Sequence, residues 1–308
     1  MMKVTQIYNN IVKSPLNYIG GKQKILNQLL PLFPTNINKF VDLFAGGCNV
    51  GLNANAEEIY FNDILIYLIE MYRKFQEIDF DAIIKHIQNR INEYNLSLTN
   101  EDGYKQLREF YNKNKNPLDL FILVSYSFNH QIRFNNNHEF NNPFGRDRSN
   151  FNNRMEQNLK IFHNRLQQKK VKFISNSFED FDFQILNKDD FVYCDPPYLI
   201  STGTYNDGRR GFKGWADQEE KDLLKVLDNL NSKKIKFGLS NVLEHKGKSN
   251  TILKNWLNSN PDYRINYIKS DYSNSNYQTA IKAKDSSVEV LITNYEPTQP
   301  VRQQCFFS

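Results

Sequence analysis

The chain has 308 residues, of which 40% are hydrophobic and 24% are charged, with a formal net charge of +5. This balance is typical of a globular protein with a buried core and excludes collagen and a wholly disordered chain. Three scattered cysteines, Cys48, Cys194 and Cys305, exclude a disulfide framework and favour a reducing cytoplasm. The first residues lack the apolar core of a signal peptide, and the longest apolar stretch, 118–128, is too short to span a membrane.

Turns, strands and helices alternate in the N-terminal part of the chain. Residues 13–22 are rich in turn formers, and apolar residues at helical spacing predict a short helix over 25–30. Residues 40–44 predict a buried strand, 45–51 a glycine turn that opens a helix, and 59–63 a second strand that ends in Asp63. This order is typical of the start of a parallel nucleotide-binding sheet.

Between residues 64 and 164 the hydrophobic pattern is mostly helical, and it interrupts the pattern of the sheet. Helices are predicted over 64–75, 81–94, 104–112 and 117–128, and a hairpin within 128–146 turns at the asparagines 135–137. Strands follow at 171–175, 190–194, 235–239 and 287–295, with a helix over 215–230. We therefore predict an α/β fold with a discontinuous domain, residues 1–63 and 165–308, and a helical insertion, residues 64–164.

The positive charge is concentrated between residues 130 and 172. That segment holds nine Lys or Arg and three Asp or Glu, so it accounts for the whole excess. Such an excess is typical of a face that binds a polyanion, and a solvated basic helix and loop is the alternative.

The glycine turn after the first strand does not have the GxGxxG spacing of a dinucleotide site, because its glycines are Gly46, Gly47 and Gly51. With Asp63 placed to accept hydrogen bonds from ribose hydroxyls, the turn fits a ligand that has an adenosine and no phosphates. S-adenosylmethionine (SAM) is such a ligand. A tight strand-to-helix turn without a ligand is the alternative.

Asp195, Pro196, Pro197 and Tyr198 follow a predicted strand at the sheet edge where α/β proteins bind ligands. The prolines fix φ and remove two backbone donors, which leaves the Pro196 carbonyl as an acceptor beside the Asp195 carboxylate. Two such acceptors suit an NH2 group and stabilise the positive charge that develops when its nitrogen attacks a methyl sulfonium. Tyr198 is placed to stack on the base that carries the amine. A rigid turn without chemistry is the alternative.

At these motifs the sequence resembles the Dam-like, D12-class DNA adenine-N6 methyltransferases. Residues 17–22 resemble the family's cofactor segment, 42–47 its central glycine motif, 177–178 the segment that packs on the cofactor adenine, and 195–198 its catalytic tetrapeptide. The resemblance implies a Rossmann-like SAM-dependent methyltransferase that methylates a flipped adenine in double-stranded DNA. The cofactor-binding residues it implies are Tyr18, Gly20, Gly21, Lys22, Asp42, Phe44, Ala45, Gly46, Gly47, Asp63, Ser177, Phe178 and Asp195.

The same family places a target-recognition domain where this chain has its helical insertion. Arg133 with residues 141–145 resembles a recognition hairpin whose arginine reads a guanine, and Phe128 corresponds to an aromatic that fills the gap left by the flipped base. Gln131 and Asp147 depart from the GATC enzymes, so the implied site contains guanine and is GATC-like or related. The implied DNA-binding residues are Phe128, Asn129, Arg133, Asn141, Pro143, Arg146 and Arg148.

Other functions remain open from the sequence. The alternatives are another amino-methyltransferase, acting on cytosine N4 or RNA, and a DNA-binding homologue without turnover. A nicotinamide oxidoreductase is disfavoured by the glycine spacing. The five histidines show no metal-ligand spacing, so no metal is predicted. The expected setting is a monomer in the cytoplasm of a bacterium, or encoded by a phage, with a cognate restriction endonuclease as a partner.

Overall fold

The structure is a computed structural model that describes residues 11–18, 20–200, 214–269 and 287–297. Within those residues eight strands form one sheet in the order β3-β2-β1-β4-β5-β8-β7, with β6 paired to β5. Their bounds are β1 (Ile37–Asp42), β2 (Ala56–Asn62), β3 (Lys170–Ile174), β4 (Phe191–Cys194), β5 (Lys236–His245), β6 (Lys248–Ser249), β7 (Arg264–Ile268) and β8 (Ser287–Thr293).

The sheet is mixed, which confirms the predicted α/β class. The neighbours β3, β2, β1, β4 and β5 are parallel, whereas β8 is antiparallel to both β5 and β7. Asp42, the last residue of β1, lies between Phe61 of β2 and Tyr193 of β4. The carboxyl ends of these three strands therefore meet at one edge of the sheet, where α/β proteins bind ligands.

The described helices are α1 (Leu26–Leu29), α2 (Ile66–Glu77), α3 (Phe80–Glu93), α4 (Glu101–Asn114), α5 (Pro117–Tyr126), α6 (Asn153–Gln168), α7 (Asp217–Ser232) and α8 (Thr251–Ser259). Asparagine side chains cap several of them, because a short amide oxygen accepts the first orphan N–H groups of a helix. Asn100, Asn116, Asn152 and Asn250 do so for α4, α5, α6 and α8. None of the helices in the described ranges combines the length and hydrophobicity needed to cross a membrane.

The helical insertion packs on one face of the sheet through a shared core. The rings of Phe61 and Phe173 stack at 5.4 Å, and Tyr72 of α2 stacks on Phe173 at 5.8 Å. Phe121 of α5 and Phe162 of α6 belong to the same buried cluster. A second cluster, which includes residues of α7 and α8, covers the opposite face. Because one core joins the sheet to the insertion, the division at residues 63 and 164 stays a prediction.

The prediction of a helix that opens at the glycine turn is wrong. Residues 43–55 contain instead a single 3-10 turn, Gly51–Asn53. Asn53 exchanges hydrogen bonds with the backbone of Val12, at 2.8 Å each, and Asn49 accepts one from the Ser14 amide at 2.9 Å. Bonds between asparagine side chains and an earlier segment thus stabilise this loop in place of a helix.

The predicted hairpin is a chain reversal with little strand pairing. Its arms meet through two isolated antiparallel bridges, Ser127 to Phe144 and Phe134 to Phe140. Asn135 closes the turn, since its Oδ1 accepts the amides of residues 137 and 139 at 2.9 Å each. The side chain of Asn112 donates to the carbonyl of Phe140 and accepts from its amide. Side-chain amides therefore satisfy backbone groups that a ladder would otherwise pair.

Candidate active site

A cavity of about 440 Å³ lies at the carboxyl ends of β1, β2 and β4. Its volume is in the range of small-molecule sites. Every residue predicted to bind a cofactor lines it, and so does every residue of the tetrapeptide 195–198. The structure thus brings together segments that are far apart in sequence: residues 16–18 and 20–22, the glycine turn, Asp63, residues 176–178 and the tetrapeptide.

Asp63 stands at the end of β2, where two backbone amides hold its carboxylate. Its Oδ2 accepts the N–H of Gly46 and its Oδ1 accepts that of Leu65, both at 2.9 Å. The adjacent Ala45 amide donates to the Asn62 carbonyl at 2.8 Å. The carboxylate is therefore fixed in orientation at the edge of the cavity.

Gly46 lies where a side chain does not fit. Its φ is +46°, and a Cβ would lie 2.7 Å from Cε1 of Tyr18. The Gly46 carbonyl accepts a hydrogen bond from the Tyr72 hydroxyl at 3.0 Å. The absence of a Cβ at Gly46 therefore lets the Tyr18 ring lie close to the backbone of the turn.

Three aromatic side chains pack against one another on another wall of the cavity. Ring centroids of Phe44, Phe178 and Trp215 are separated by 5.5 to 5.6 Å. The Trp215 Nε1 donates to the buried carboxylate of Glu220 at 2.8 Å, which holds the indole in place. Flat apolar side chains of this kind suit a planar ring. Trp215 was not predicted to belong to the site.

Asp195 is the centre of a polar network. The Lys22 ammonium lies 2.8 Å from its Oδ1 and 3.8 Å from Oε1 of Glu289, and it also donates to the Gly20 carbonyl. The Tyr198 hydroxyl lies 3.1 Å from both of those carboxylate oxygens. Lys22 lies 4.8 Å from the centre of the Tyr198 ring. Lys22 and Tyr198 thus bridge two carboxylates.

Burial changes the acidity of two carboxyls in this network. It raises the pKa of Asp195, and the nearby Lys22 ammonium and the Tyr198 hydroxyl oppose the rise. It also raises the pKa of Asp42 to about 7, against the lowering effect of the hydrogen bond from the Gly51 amide. In both cases removal of water disfavours the charged carboxylate, and nearby hydrogen-bond donors recover part of its lost stabilisation.

None of the seven residues predicted to bind DNA lines the cavity in the described part of the chain. Their neighbours His130, Gln131, Ile132 and Phe134 do line it. The insertion therefore contributes a wall of the cavity, which the sequence interpretation missed.

The arginines of the predicted recognition segment differ in their partners. Arg146 forms an ion pair with Glu101 at 2.8 Å, and the Arg148 guanidinium lies 5.4 Å from the ring of Phe128, which is 41% exposed. Across the described ranges Arg133 has no ion-pair partner.

Backbone contacts determine the positions of the other three predicted residues. The Asn129 carbonyl accepts from the Asn17 side chain at 3.4 Å, and the Pro143 carbonyl accepts from the Phe128 amide at 2.7 Å. The Asn141 amide donates to the Arg133 carbonyl at 3.0 Å, while its side-chain oxygen is buried and has no hydrogen-bond partner among the residues that the structure describes.

The basic residues of the 130–172 segment lie on different elements, and some of them contact the protein, so a polyanion-binding face stays a prediction. Arg133, Arg146 and Arg148 lie in the chain reversal, whereas Lys169 and Lys172 lie at or near the start of β3 and contact the protein. Lys169 donates to the Ala54 carbonyl at 2.8 Å, and Lys172 pairs with Glu58 at 2.9 Å. The segment runs through the whole length of α6, so its charges are separated in space.

Glu289 was missed as well, although the sequence contained a signal. It is the only acid in the otherwise apolar run 288–292, and its side chain is 1% exposed. An isolated acid in a buried strand needs partners, but the sequence does not show which ones. Among the residues described, no group of three or more His, Cys, Asp or Glu side chains is arranged to hold a metal ion.

Comparisons with known proteins agree with this geometry. A family model described as D12 class N6 adenine-specific DNA methyltransferase matches residues 18–274. The chain is 52% identical over 287 residues to type II methyltransferase M.FokI of Planomicrobium okeanokoites, and 52% identical over 285 residues to modification methylase StsI of Streptococcus sanguinis.

The lengths of these relatives differ from that of the chain. The matches cover 93% and 92% of this chain but 43% of each relative, so the chain spans less than half their length. A match at 26% identity to type II methyltransferase M.MjaIII of Methanocaldococcus jannaschii covers 92% of this chain and 99% of that protein.

Proposed function

Because this chain belongs to the D12 class of N6 adenine-specific DNA methyltransferases, we propose that it transfers a methyl group to the N6 amine of adenine in double-stranded DNA. The observation that carries the proposal is the position of Asp195. Its carboxylate lies 2.8 Å from Lys22 in the same cavity as Asp63 and Gly46. A fixed acceptor and a nucleoside-type cradle thus share one cavity.

The residues that line the cavity support SAM as its ligand. Asp63 would hold the ribose hydroxyls, the aromatic cluster of Phe44, Phe178 and Trp215 would pack against the adenine, and the turn at Gly46 would lie beside the remainder. When bound, this cofactor supplies an electrophilic methyl group on a positively charged sulfur.

The tetrapeptide acts on the target amine. The Asp195 carboxylate and the Pro196 carbonyl would accept its two N–H bonds, which orients the nitrogen and stabilises the positive charge it gains. The N–C bond would form as the methyl–sulfur bond breaks, the sulfur would keep the electron pair and become neutral, and the methylated nitrogen would then lose one proton to water. Asp195 must be ionised to accept, and burial raises its pKa. The Lys22 ammonium lowers that pKa and so favours the ionised form. Tyr198 stacks on the base.

Recognition of DNA belongs to the insertion in this proposal. A stacked adenine cannot reach the cavity, so it must be flipped out of the duplex. Arg133 reads a guanine of the target site, and its lack of an ion-pair partner among the described residues supports its availability. Phe128, which is 41% exposed, fills the gap left by the base. Arg148 contacts phosphate.

A labelled-methyl assay tests the activity. The purified chain is incubated with methyl-labelled SAM and, separately, double-stranded DNA, RNA or protein, and the products are digested and identified. We expect label in N6-methyladenine from double-stranded DNA. Label in N4-methylcytosine or in RNA would favour the alternative amino-methyltransferases. Binding of DNA without any label would indicate a homologue without turnover.

The biological setting is also a proposal. The names of the relatives, type II methyltransferase and modification methylase, support a role in restriction-modification, with a cognate endonuclease that acts on the same site. One flipped base requires one active site, so we propose a monomer that works in the cytoplasm. Modified-base sequencing of DNA from cells that express the chain would report the methylated base and its recognition sequence together.

A further inference from the structure

Glu289 is a carboxylate buried behind the cavity. It lies on β8, opposite Val242 of β5 and Ile268 of β7, and its side chain is 1% exposed. It is not among the described residues that line the cavity. A buried carboxylate costs free energy unless donors compensate it. The donors that compensate Glu289 connect it to the cavity.

The donors that contact Glu289 belong to the active-site network. Its Oε1 lies 3.1 Å from the Tyr198 hydroxyl and 3.8 Å from the Lys22 ammonium. The same two groups lie 3.1 Å and 2.8 Å from Oδ1 of Asp195. A tyrosine hydroxyl has one proton, so Tyr198 donates to one of the two carboxylates at a time.

These contacts create competition at Asp195. Under the proposed function, its carboxylate must accept an N–H from the target amine. In the structure Lys22 and Tyr198 both lie within donating distance of the same oxygen, Oδ1. Glu289 offers both donors a second anionic acceptor, reached by small shifts because each already lies within 3.8 Å of it.

We propose that Glu289 is a positioning residue that accepts the Tyr198 hydroxyl when the target amine binds at Asp195 and holds the Lys22 ammonium between the two carboxylates, where it still keeps Asp195 ionised. The inference rests on the proposed function. With a neutral residue at position 289, the Lys22 ammonium and the Tyr198 hydroxyl would both bind Asp195 more strongly and would compete with the amine. The loss should therefore appear in the methyl-transfer step and not in SAM binding.

Glu289→Gln tests this role, because the amide keeps the size and an acceptor oxygen but removes the charge. We expect single-turnover methylation at saturating SAM and DNA to slow by about 30-fold, with the Kd for SAM within about threefold of wild type. This fold-change is the scale of a lost charge-assisted contact. Glu289→Asp keeps the charge with a shorter reach, so its rate should lie between those of wild type and Glu289→Gln.

Asp190→Asn is a matched control. Asp190 is a fully buried carboxylate that also has a lysine ammonium, that of Lys39, at 3.8 Å. It precedes β4 and lies at the opposite end of that strand from Asp195. We expect this variant to lose stability, as measured by thermal unfolding, while its methylation rate per folded molecule stays within threefold of wild type.

The outcomes separate the two proposals. A wild-type chain that methylates no adenine overturns the proposed function. A wild-type chain that does so, together with a Glu289→Gln variant within threefold of its rate, overturns only the role of Glu289. If Glu289→Gln does not fold, Glu289→Asp decides: a rate 3- to 10-fold below wild type at unchanged SAM affinity supports the role, and a rate within twofold contradicts it.

Discussion

Gly46 has a left-handed backbone conformation and lies close to an aromatic ring. A side chain at this position would therefore cost free energy in two ways, through backbone strain and through overpacking, and the two costs can be measured separately. Gly46→Ala would place a Cβ 2.7 Å from Tyr18 at a φ of +46°. We expect it to lower the free energy of unfolding by about 2–4 kcal/mol, as the sum of backbone strain and overpacking, and to weaken SAM binding. Urea unfolding and calorimetric titration measure the two effects.

Gly247 is the control for Gly46. Its φ is +76°, and nothing lies within 4 Å of its ideal Cβ. Gly247→Ala should therefore cost only the backbone strain, about 1 kcal/mol, and should leave SAM affinity unchanged. Equal losses of stability in the two variants would show that contact with Tyr18 contributes nothing.

Asp42 predicts a pH dependence of stability. Its pKa is raised from 3.8 to about 7 in the folded protein. Below pH 3.8 the carboxyl is neutral in both states, whereas between 3.8 and about 7 the unfolded chain releases the proton more readily. The free energy of unfolding should therefore fall by up to about 1.4 kcal/mol per pH unit in that window and level off above it.

Asp42→Asn removes this titration and so isolates it. Urea unfolding of both proteins at pH 5, 6, 7 and 8 should show that the free energy of unfolding of the variant, relative to that of the wild type, rises up to about pH 7 and is constant above it. A difference that does not vary with pH would mean that the Asp42 carboxyl is not shifted.

The local parts of the site were predictable from the sequence, and the long-range parts were not. The tetrapeptide that begins with Asp195 was recognisable because two adjacent prolines directly after an apolar strand have few roles in a protein other than to shape a site. Glu289 contacts Tyr198 from 91 residues away. Their contact depends on β8 lying beside β5, an order that no motif in the sequence specifies.

Among the elements, the chain reversal that carries Arg133 has the clearest functional prediction. Arg133→Ala should reduce discrimination between the cognate site and a site with its guanine replaced by about 10- to 100-fold, because a bidentate contact to guanine is worth about 1–3 kcal/mol. Competition methylation with the two duplexes measures this ratio. An unchanged site preference would reject the readout role.

Arg146→Ala is the matched comparison within the same reversal. Its guanidinium already pairs with Glu101 at 2.8 Å. We expect a smaller loss of affinity, equal for the two duplexes. If Arg146→Ala reduced discrimination as much as Arg133→Ala, the assignment of base reading to Arg133 would be contradicted.

Element boundaries were predictable where capping is local. The start of α5 shows in the sequence, because Asn116 caps it and Pro117 is its first residue. β7 was not predicted, since this edge strand is only partly buried and its alternation is weak. The sparse pairing of the chain reversal was not predictable either, because it depends on Asn112 reaching Phe140 from α4.

At the scale of the whole molecule, the spatial separation of the basic residues predicts how salt affects DNA binding. Each phosphate contact adds about one to the slope of log affinity against log salt. Arg148→Ala should reduce that slope by about one. Lys172→Ala should leave it unchanged, because Lys172 pairs with Glu58 on β2. Fluorescence anisotropy between 50 and 200 mM salt compares the slopes. Equal reductions would show that Lys172 also contacts phosphate, as expected of a single basic face.

The architecture as a whole was predictable because alternating strands and helices with a glycine turn permit few topologies. What the sequence did not show is that the insertion shares its core with the sheet. Phe61 and Phe173 of the sheet pack with Tyr72 of α2. Periodicity identifies the buried face of each element, but it does not say which faces meet.

The account depends most on the claim that the Asp195 carboxylate accepts the target amine at the sheet edge. Single-turnover methylation by Asp195→Ala, at saturating SAM and DNA, tests it directly. The predicted result is a loss of about 100- to 1,000-fold, the scale of removing one transition-state acceptor or donor, with SAM affinity within about tenfold of wild type. A near-wild-type rate would contradict the assigned role.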